Sequence, residues 1–567
     1  MTNKTTGARV LAQMLEAYGT DHVFMVPAVL RRSMAEMERL TDIKVIHTHG
    51  EKSAAYMADG YARVSGKPGV CMAQQVGALN LAAGLRDAHL ACSPVIAMTG
   101  GSKPGQRYRN LYQEADDLPA FAPYTKLNVA IEDVERFPDL ISRAYREATT
   151  GCPGPVHLQF QGQEGEIDAQ QGEMLLRCDA RHRQVPPYRP PACDVELAQL
   201  LEQFSRAERP VILAGGGVNH SRAGVELVEV AERLKVPVAT SLNGRGVIPE
   251  THPLALGVVG TYSRPSANQA LHRADFVLII GSRMGSMISN FWRLPAPDTP
   301  AAQIDLDAAV IGRNIPVEIG INADARAALS QLLELPLPES TDTGAAWIEE
   351  CQALGQACLA QRAEMTASDA VPIRPERLCH DLSVGLPDDA IVVVDTGHAG
   401  MWMASMFDTT SPRQRFIRSA GHLGWAFPAG LGAKCAVGER PVITLTGDLG
   451  LWYHIGDIET AVRWNINAIT IVNNNHSGNQ SRRGFAKAYD GNPTEKSEQL
   501  WVHREVDFAA IAEQIGALGI RVTKPSEFPS ALERALDARR PTVIDVVTDI
   551  AAAAPLAWDA DDWVQRY

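Results

Sequence analysis

The chain reads Gly447-Asp448-Leu449-Gly450 directly after one apolar run and Asn473-Asn474-Asn475-His476-Ser477 directly after the next. The two runs, 441–446 and 468–472, predict buried strands, and the amphipathic segment between them predicts a helix. In a parallel sheet such a strand–helix–strand unit brings both strand ends to one carboxyl edge, where ligands bind. These residues therefore predict an α/β fold with a ligand site at this edge.

Asp448 and Asn475 follow the two predicted strands, so we expect their side chains to lie close together. Carboxylate and amide oxygens, completed by the phosphates of a ligand, are the groups that Mg²⁺ favours. The pattern therefore indicates a magnesium site with a phosphate-bearing ligand. Taken alone, a Gly-Asp pair is more often an ordinary turn, so this interpretation depends on the rest of the chain.

Size and composition describe an ordinary globular protein of several domains. The chain has 567 residues, 45% hydrophobic and 21% charged, so we expect about three domains. A net charge of −13 argues against nucleic acid or an anionic membrane surface as the main partner. The nine cysteines show neither a disulfide framework nor zinc-ligand spacing, and no apolar run is long enough for a membrane helix. A cytoplasmic location is expected.

Short apolar runs alternate with helical segments along the chain, which indicates doubly wound parallel sheets. A proline-rich stretch, 185–191, and a polar stretch, 336–343, divide this alternation into three units. We therefore expect an N-terminal domain over 1–185, a middle domain over 192–335 and a C-terminal domain over 345–567.

The segments Gly447–Gly450 and Asn473–Ser477 resemble the diphosphate-binding motif of thiamin diphosphate (ThDP) enzymes, in which Gly-Asp-Gly precedes Asn-Asn. One departure is Leu449, which stands where the family has its second glycine. The three α/β units resemble the PYR, middle and PP domains of the pyruvate-oxidase-like and acetolactate-synthase-like members, so the resemblance covers almost the whole chain. It implies two ThDP-binding domains flanking a Rossmann-like middle domain, and an enzyme that acts on a carbon–carbon bond beside a carbonyl.

The resemblance also implies which residues hold the metal and the diphosphate. Mg²⁺ would be bound by Asp448, Asn475 and the main-chain oxygen of Ser477. Asp395–Trp402 is a glycine-rich strand-to-helix turn, and the N–H groups at the start of such a helix suit a diphosphate. The residues expected to bind the diphosphate are Gly397, His398, Ala399, Gly447, Leu449, Gly450 and Gly478.

Glu51 opens a predicted helix in the segment 49–63, where the helix dipole alone would favour an acid. The segment resembles the second ThDP signature, in which this Glu hydrogen-bonds the aminopyrimidine ring and promotes loss of the thiazolium C2 proton. The family usually has His directly before this Glu, and Gly50 stands there instead. Gly77 and Asn80 keep their family places, as cofactor-binding candidates, in a turn whose other residues differ.

Two further segments resemble the parts of the family that surround the reacting carbon. Tyr112-Gln113-Glu114 is similar to the Phe-Gln-Glu of acetolactate synthases and 2-hydroxyacyl-CoA lyases, which makes Gln113 a candidate catalytic residue; a polar loop is the alternative. Gly421-His-Leu423-Gly resembles the family's Gly-x-Met-Gly. This implies that Leu423 wedges between the cofactor rings and that the Gly421 carbonyl accepts from the pyrimidine amino group. A single Leu is otherwise most often a core residue.

In the middle domain, Gly215–Gly217, Ile304–Asp307 and Gly312–Asn314 resemble turns that hold FAD or ADP in some relatives. Such turns also occur in relatives with an empty middle domain, and glycine-rich turns after strands are common packing features. Arg283 is present, but the acidic pair that follows it in flavin-containing acetolactate synthases is absent. We therefore expect no tightly bound FAD and keep FAD or ADP as the alternative.

The resemblance as a whole implies an acetolactate-synthase-like enzyme that decarboxylates a short 2-oxo acid and ligates the product, working as a homodimer or a dimer of dimers. The second candidate is a lyase or decarboxylase of a 2-hydroxyacyl-CoA or oxalyl-CoA. An inactive regulatory subunit is disfavoured because Glu51, Asp448 and Asn475 are all present.

The polar stretch after Ser477 predicts either a lid over the cofactor or an exposed surface loop. It contains Arg482 and Arg483, whose guanidinium groups would suit a 2-oxo acid carboxylate and the phosphates of CoA equally well. Adjacent arginines on a polar loop are also often merely solvated. This stretch therefore does not decide between the two substrate classes.

Overall fold

The computed structural model describes residues 4–336 and 342–560. Within these ranges the strands form three six-stranded parallel sheets and one antiparallel pair of short strands. Helices alternate with the strands, so the predicted α/β class with three doubly wound domains is confirmed. Most of the predicted boundary stretch 336–343 lies outside the described residues. No helix of the described ranges is long and apolar enough to cross a membrane.

The N-terminal domain is built around the first of these sheets. Its strands are β1 (Thr5–Thr6), β2 (His22–Met25), β3 (Lys44–His47), β4 (Gly69–Ala73), β5 (Val95–Gly101), β6 (Asn128–Ile131), β7 (Val156–Gln161) and β8 (Gln171–Gly172). Its helices are α1 (Gly7–Ala17), α2 (Arg31–Leu40), α3 (Glu51–Ser65), α4 (Ala78–Leu90), α5 (Leu118–Phe121) and α6 (Phe137–Thr149). The sheet order is β3-β2-β4-β5-β7-β6, and β1 pairs with β8.

The middle domain is a second doubly wound sheet. Its strands are β9 (Pro210–Ala214), β10 (Val238–Thr240), β11 (Ala255–Val258), β12 (Phe276–Ile280), β13 (Ala301–Asp305) and β14 (Ile319–Asn322). Its helices are α7 (Asp194–Arg206), α8 (Gly216–Ser221), α9 (Gly224–Leu234), α10 (Pro265–Arg273) and α11 (Ala325–Glu334). The order β11-β10-β9-β12-β13-β14 is that of the dinucleotide-binding Rossmann sheet.

The C-terminal domain carries the third sheet. Its strands are β15 (Ile391–Val394), β16 (Arg415–Arg418), β17 (Val442–Gly447), β18 (Ile469–Asn474), β19 (Leu518–Val522) and β20 (Thr542–Val547). Its helices are α12 (Asp342–Thr366), α13 (Pro375–Gly385), α14 (His398–Met406), α15 (Ala426–Val437), α16 (Asp448–Trp452), α17 (Asp457–Arg463), α18 (Ser481–Ala488), α19 (Glu495–Glu498), α20 (Phe508–Ile515) and α21 (Phe528–Asp537). The sheet order is β16-β15-β17-β18-β20-β19.

The N-terminal and C-terminal sheets share one topology. Counted along the chain from β2 and from β15, both sheets have the strand order 2-1-3-4-6-5. The order reverses between the first and third strands of each sheet, which are β2 and β4 in one domain and β15 and β17 in the other. Open α/β sheets bind ligands outside the carboxyl ends of the strands at such a reversal. Asp448, which follows β17, stands at this place.

Helices α3 and α15 join the N-terminal domain to the C-terminal domain. Gly60 lies against the backbone of Ala429 and Gly432 against the backbone of Met57, so the two helices run antiparallel. A Cβ at either glycine would overlap a carbonyl oxygen of the other helix. The two backbones are therefore closer than in an ordinary helix pair, whose axes lie about 8–10 Å apart.

Three segments differ from what local sequence suggested. The amphipathic segment between β17 and β18 forms two helices instead of one, because α16 ends at Trp452 and α17 begins at Asp457. The polar stretch after Ser477 contains helices α18 and α19, and no residue of α18 is buried. Helix α12 begins on the middle domain, where the Trp347 indole N–H donates to the Pro210 carbonyl at 3.1 Å.

We expect Gly60→Ala to lower the midpoint of thermal unfolding. The added methyl group would overlap the Ala429 carbonyl, and overpacking of this kind costs about 1–3 kcal/mol. Gly355→Ala is the matched control, because Gly355 lies within α12 and a Cβ there meets no atom within 4 Å. This control should raise the midpoint slightly, since Ala gains about 1 kcal/mol over Gly in a helix. Scanning calorimetry that placed Gly60→Ala at or above the wild-type midpoint would contradict the close approach.

Candidate active site

The carboxyl edge of the C-terminal sheet places three polar residues in adjacent turns. Asp395 follows β15, Asp448 follows β17 and Asn475 follows β18. Strand β17 pairs with both of the others, so the three turns are neighbours. All three side chains are buried, with Asp448 3% and Asn475 6% exposed. The topology thus concentrates carboxylate and amide oxygens at the point where the strand order reverses.

Ser477 links Asp448 to Asn475. Its main-chain N–H donates to Asp448 Oδ2 at 2.8 Å, and its hydroxyl donates to Asn475 Oδ1 at 2.8 Å. The Leu449 N–H donates to Asp448 Oδ1 at 2.7 Å. Each carboxylate oxygen accepts one of these bonds and keeps a second lone pair for another partner. The structure therefore brings together Asp448, Asn475 and Ser477, the three residues expected to bind the metal.

Burial raises the pKa of Asp448 to about 6, although the N–H groups of Leu449, Ser477 and His476 favour its ionised form. A cation at these oxygens would offset the cost of burying the charge. Among the described residues, no cluster of three or more His, Cys, Asp and Glu side chains could hold a metal ion. A cation at this edge would therefore need amide and main-chain oxygens in addition to the Asp448 carboxylate.

Asp395 connects the first turn of this edge to the segment that contains Leu423. Both of its carboxylate oxygens accept from the Gly424 N–H, at 3.0 and 3.1 Å, and Oδ2 also accepts from the Thr446 hydroxyl at 2.8 Å. Burial raises the pKa of Asp395 to about 7. A Cβ at Gly450 would lie 2.7 Å from Asp395 Oδ2, so this glycine is needed for the close packing of the two turns.

Asp87 binds the beginning of the segment that contains Leu423. This residue was not identified from the sequence. Its carboxylate accepts from the Ala420 N–H at 2.9 Å, the His422 N–H at 3.3 Å and the Ser419 hydroxyl at 3.1 Å. It lies in α4 of the N-terminal domain and is fully buried. No local pattern marked this residue, because these three partners lie more than 330 positions along the chain.

The start of α14 lies at the same carboxyl edge of the C-terminal sheet, directly after β15. Gly397 has a φ of +73° and precedes His398, the first residue of the helix, with Ala399 next. Burial lowers the pKa of His398 to about 4, and its Nδ1 has no hydrogen-bond partner among the described residues. The side chain of Gln480 lies over Gly397, where a Cβ would be 3.0 Å from its Oε1. A neutral imidazole and the free N–H groups of the first helical turn are thus available to a ligand.

The N-terminal domain gathers a second group of candidate residues. Glu51 is the first residue of α3, and its Oε2 accepts from the Asn80 amide at 3.1 Å. A Cβ at Gly77 would collide with Glu51 Oε1, so only glycine leaves room for the carboxylate in this position. Three of the N-terminal residues singled out from the sequence, Glu51, Gly77 and Asn80, therefore meet at one point.

Gln113 lies in a loop that is tied to the same turn. It has a φ of +64°, and its Oε1 is buried without a hydrogen-bond partner among the described residues. The Gln75 amide donates to the Ala115 carbonyl at 3.1 Å and to the Ser102 hydroxyl at 3.1 Å, which fixes the loop to the Gly77 turn. Burial raises the pKa of the nearby Asp117 to about 6. The loop thus holds a buried amide oxygen without a partner among the described residues and is attached to the turn that contains Gly77.

The C-terminal edge fits the diphosphate end of ThDP with its cation. The backbone at Gly447 and at Gly421 is open, since a Cβ at either position would meet no atom within 4 Å. The unpartnered His398 Nδ1 and the first turn of α14 provide groups that suit phosphate oxygens. Gly478 packs against Leu449, with a Cβ position 3.2 Å from its side chain, so the leucine in the usual glycine place is accommodated.

The middle domain contains a cavity of about 440 Å³ at the reversal of its own strand order. Its lining includes Gly216, Gly217, Arg283, Asp305 and Arg313. All of these except Arg283 belong to the turns that resembled FAD or ADP sites. A space with this lining is compatible with a nucleotide, and the expectation of no tightly bound FAD stays a prediction.

Fold and site together define a thiamin-diphosphate-binding α/β protein, and family models agree with this class. The thiamine pyrophosphate enzyme N-terminal TPP binding domain matches residues 5–120. The central domain of the same enzymes matches 197–332, and their C-terminal TPP binding domain matches 395–546. The chain belongs to the thiamine pyrophosphate enzyme family, as its motifs predicted, and thiamin diphosphate is its cofactor.

Relatives match almost the full length of the chain. A probable acetolactate synthase large subunit of Methanocaldococcus jannaschii is 33% identical over 97% of this chain and 93% of its own length. The acetolactate synthase large subunit of Lactococcus lactis is 29% identical over 96% of this chain and 92% of its own. Glyoxylate carboligase of Escherichia coli O157:H7 is 29% identical over 94% of this chain and 92% of its own length.

We expect Gly77→Ala to slow exchange of the ThDP C2 proton by about a hundredfold, because the added methyl displaces the Glu51 carboxylate from its position. NMR of the ThDP-loaded protein in D₂O measures this exchange without any substrate. Gly105→Ala is the control, since a Cβ there meets no atom within 4 Å. Exchange at the wild-type rate in Gly77→Ala, with ThDP still bound, would show that the position of Glu51 does not matter.

Proposed function

We propose that this chain is a ThDP- and Mg²⁺-dependent carboligase that decarboxylates a short 2-oxo acid such as pyruvate and joins the product to a second carbonyl compound. The observation that carries the proposal is the Asp448–Ser477–Asn475 cluster at the strand-order reversal of the C-terminal sheet. Full-length similarity to proteins named acetolactate synthase and glyoxylate carboligase supports the reaction class.

Asp448, Asn475 and the main-chain oxygen of Ser477 would bind Mg²⁺, because hard oxygen ligands of this kind suit the ion and leave positions for phosphate oxygens and water. The diphosphate would be held by the residues of the surrounding turns, namely Gly397, His398, Ala399, Gly447, Leu449, Gly450 and Gly478. When bound, ThDP supplies a thiazolium carbon that adds to a carbonyl and accepts the electrons of the breaking carbon–carbon bond.

Glu51 would hold the proton that the aminopyrimidine ring needs. Its Oε2 accepts from Asn80, which orients the carboxyl group, while Oε1 points along the bare face of Gly77. A carboxylic acid in this place donates a hydrogen bond to a ring nitrogen and so makes the amino group opposite it more basic. The Gly421 carbonyl would accept from that amino group, and Leu423 would keep the two rings of the cofactor bent.

The donor substrate would enter between Gln113, Tyr112 and Leu423, which present one amide among largely apolar groups. The sequence contains no pair of adjacent histidines that could deliver a proton quickly to the reacting carbon. Slow proton delivery favours ligation to a second carbonyl over simple release of an aldehyde. Gln113, with its unpartnered Oε1, is the candidate for orienting the bound acceptor.

Arg482 and Arg483 do not favour the CoA-dependent alternative. Their guanidinium groups donate to main-chain carbonyls of the C-terminal segment, Arg482 to Ile550 at 3.4 Å and Arg483 to Ala554 at 2.7 Å. These contacts give both arginines a role in holding that segment. The choice of substrate therefore rests on the similarity to the relatives and on the largely apolar residues where the donor would enter. Both support a 2-oxo acid as the donor.

A homodimer with composite sites would complete this arrangement. Apolar side chains stand exposed beside both groups of candidate residues: Val76 (61%) and Leu79 (55%) in the N-terminal domain, and Tyr453 (54%) and Trp452 (41%) in the C-terminal domain. Exposed apolar groups of this size often mark protein–protein contacts. Each site would then combine Glu51 of one subunit with Asp448 of the other.

The proposal predicts that protein supplied with ThDP and Mg²⁺ releases carbon dioxide from pyruvate and forms acetolactate, or an acyloin when an aldehyde is added. Removal of divalent cations with EDTA should abolish turnover, and Mg²⁺ should restore it. Glu51→Gln should lower kcat by about a hundredfold or more, because an amide cannot supply the proton. Glu38→Gln on the exposed face of α2 is the matched control and should keep wild-type activity.

Mass spectrometry of the products separates the outcomes of this assay. Turnover of glyoxylate instead of pyruvate would keep the reaction class and change the donor. Cleavage of a 2-hydroxyacyl-CoA to an aldehyde and formyl-CoA, without turnover of any 2-oxo acid, would replace the proposal with the lyase alternative.

A further inference from the structure

Two cysteines lie together on the wall of the middle-domain cavity, away from the Asp448 site. Cys92 and Cys152 both line this cavity, and neither side chain is fully buried. Cys92 precedes β5 and Cys152 precedes β7, and these two strands pair in parallel with Ile96 opposite Val156. Each cysteine thus stands four positions before a paired residue. The pairing of β5 with β7 therefore places the two turns that carry the cysteines side by side at one end of the sheet.

The two thiols interact with each other. A side-chain hydrogen bond from Cys152 lowers the pKa of Cys92 to about 7, and the positive charge of Arg283 acts in the same direction against the effect of burial. The pKa of Cys152 is raised in turn by the hydrogen bond to Cys92 and by burial. At neutral pH the pair therefore contains one sulfur with substantial thiolate character and one that stays protonated.

Neighbouring groups hold the two turns in place. The Lys126 ammonium donates to the carbonyls of Thr150 and Cys152, at 2.7 and 2.8 Å. The Arg283 guanidinium donates to the Leu90 carbonyl at 2.5 Å, two residues before Cys92. Both cysteine turns are thus anchored by cations, the exposed Lys126 on one side and the half-buried Arg283 on the other.

Each of the other cysteines lacks part of this setting. Cys351 and Cys358 also line one cavity, but burial raises the pKa of the Cys351 thiol to about 12. Cys71, Cys351 and Cys379 are buried, and Cys178 and Cys193 are exposed at separate places on the surface. Burial raises the pKa of the Cys435 thiol to about 12. Reactivity toward an electrophilic sulfur follows thiolate content as well as access. The pair Cys92–Cys152 therefore combines the three properties of a redox site: access from a cavity, a thiolate and a second sulfur nearby.

We propose that Cys92 and Cys152 form a reversible two-cysteine redox site that reacts with low-molecular-weight disulfides such as oxidised glutathione. In the first step the Cys92 thiolate attacks one sulfur of the small disulfide, which breaks its S–S bond and releases one thiolate. In the second step Cys152 loses its proton and attacks the Cys92 sulfur, which forms the protein disulfide and releases the second small thiol. The two protein thiols are oxidised, and the small disulfide is reduced to two thiols.

The cross-link would tie the turn before β5 to the turn before β7 on the cavity wall. Any molecule in the cavity that lies against the two sulfurs would shield them, and oxidation would in turn alter the cavity lining. The site is separate from the proposed carboligase reaction, because the described lining of its cavity includes none of the residues assigned to ThDP. Its test therefore needs no substrate and no turnover.

The test treats the reduced full-length protein with oxidised glutathione at pH 7 and maps cysteine-containing peptides by mass spectrometry. We expect one peptide pair, joined through Cys92 and Cys152, lighter by two hydrogen atoms than the reduced peptides together. Dithiothreitol should restore both thiols. In Cys152→Ser the reaction should stop at glutathione bound to Cys92, because the resolving sulfur is missing. In Cys92→Ser, Cys152 should react about tenfold more slowly or not at all.

Cys178→Ser is the matched control, since Cys178 is exposed and unpaired with another cysteine, and its loss should leave the cross-link unchanged. Labelling that follows exposure alone, with Cys178 and Cys193 modified and no joined peptide, would overturn the proposal. It would also be overturned if Cys92→Ser and Cys152→Ser trapped glutathione at equal rates, because the structure makes Cys92 the attacking sulfur. Circular dichroism of each variant separates a missing cross-link from a failure to fold.

Discussion

The close approach of α3 to α15 is the constraint on which the arrangement of the two cofactor-binding domains depends. Gly60 and Gly432 leave no side chain between the helices, so each presses against a carbonyl of the other. Helix α3 begins with Glu51, and α15 follows directly after the segment that contains Gly421 and Leu423. The contact between these two helices therefore fixes the direction in which each domain presents its candidate residues. A longer side chain at either glycine would push the two helices apart and so displace both Glu51 and the segment with Gly421 and Leu423.

A buried charge network extends this contact. Arg63 of α3 lies between the carboxylates of Asp59 and Asp87, with ion-pair distances of 2.5 and 2.7 Å, and the Trp425 indole donates to Asp59 at 2.9 Å. Asp87 in turn holds the backbone of Ala420. Removing one partner of a buried pair costs about 3–5 kcal/mol because the other charge is left uncompensated. The same network thus supports the helix contact and shapes the loop that would meet the pyrimidine ring.

Most of the fold, and the Asp448–Asn475 part of the site, could be predicted from local sequence. Strands, helices and the turns that end them are visible from hydrophobic periodicity and glycine spacing, and Asp448 and Asn475 could be placed at one edge because parallel topology requires it. Asp87 could not be identified, since the backbone segment that it holds is remote in sequence and a single buried Asp has no local signature. The helix break at 453–456 and the helical turns of α18 were also missed; α18 buries none of its residues, so no buried apolar stripe marks it.

The central claim, that each site combines Glu51 of one subunit with Asp448 of another, is tested most directly by mixing two inactive variants. Glu51→Gln and Asp448→Ala, carrying different affinity tags, would be dissociated, mixed and reassociated in the presence of ThDP and Mg²⁺, and hetero-oligomers isolated through both tags. A mixed dimer contains one intact composite site out of two, so the isolated mixed dimers should show about half of wild-type activity, while each variant alone stays inactive. Doubly tagged dimers that bind ThDP and remain inactive would contradict the shared site, because sites built within one chain cannot be repaired by exchange.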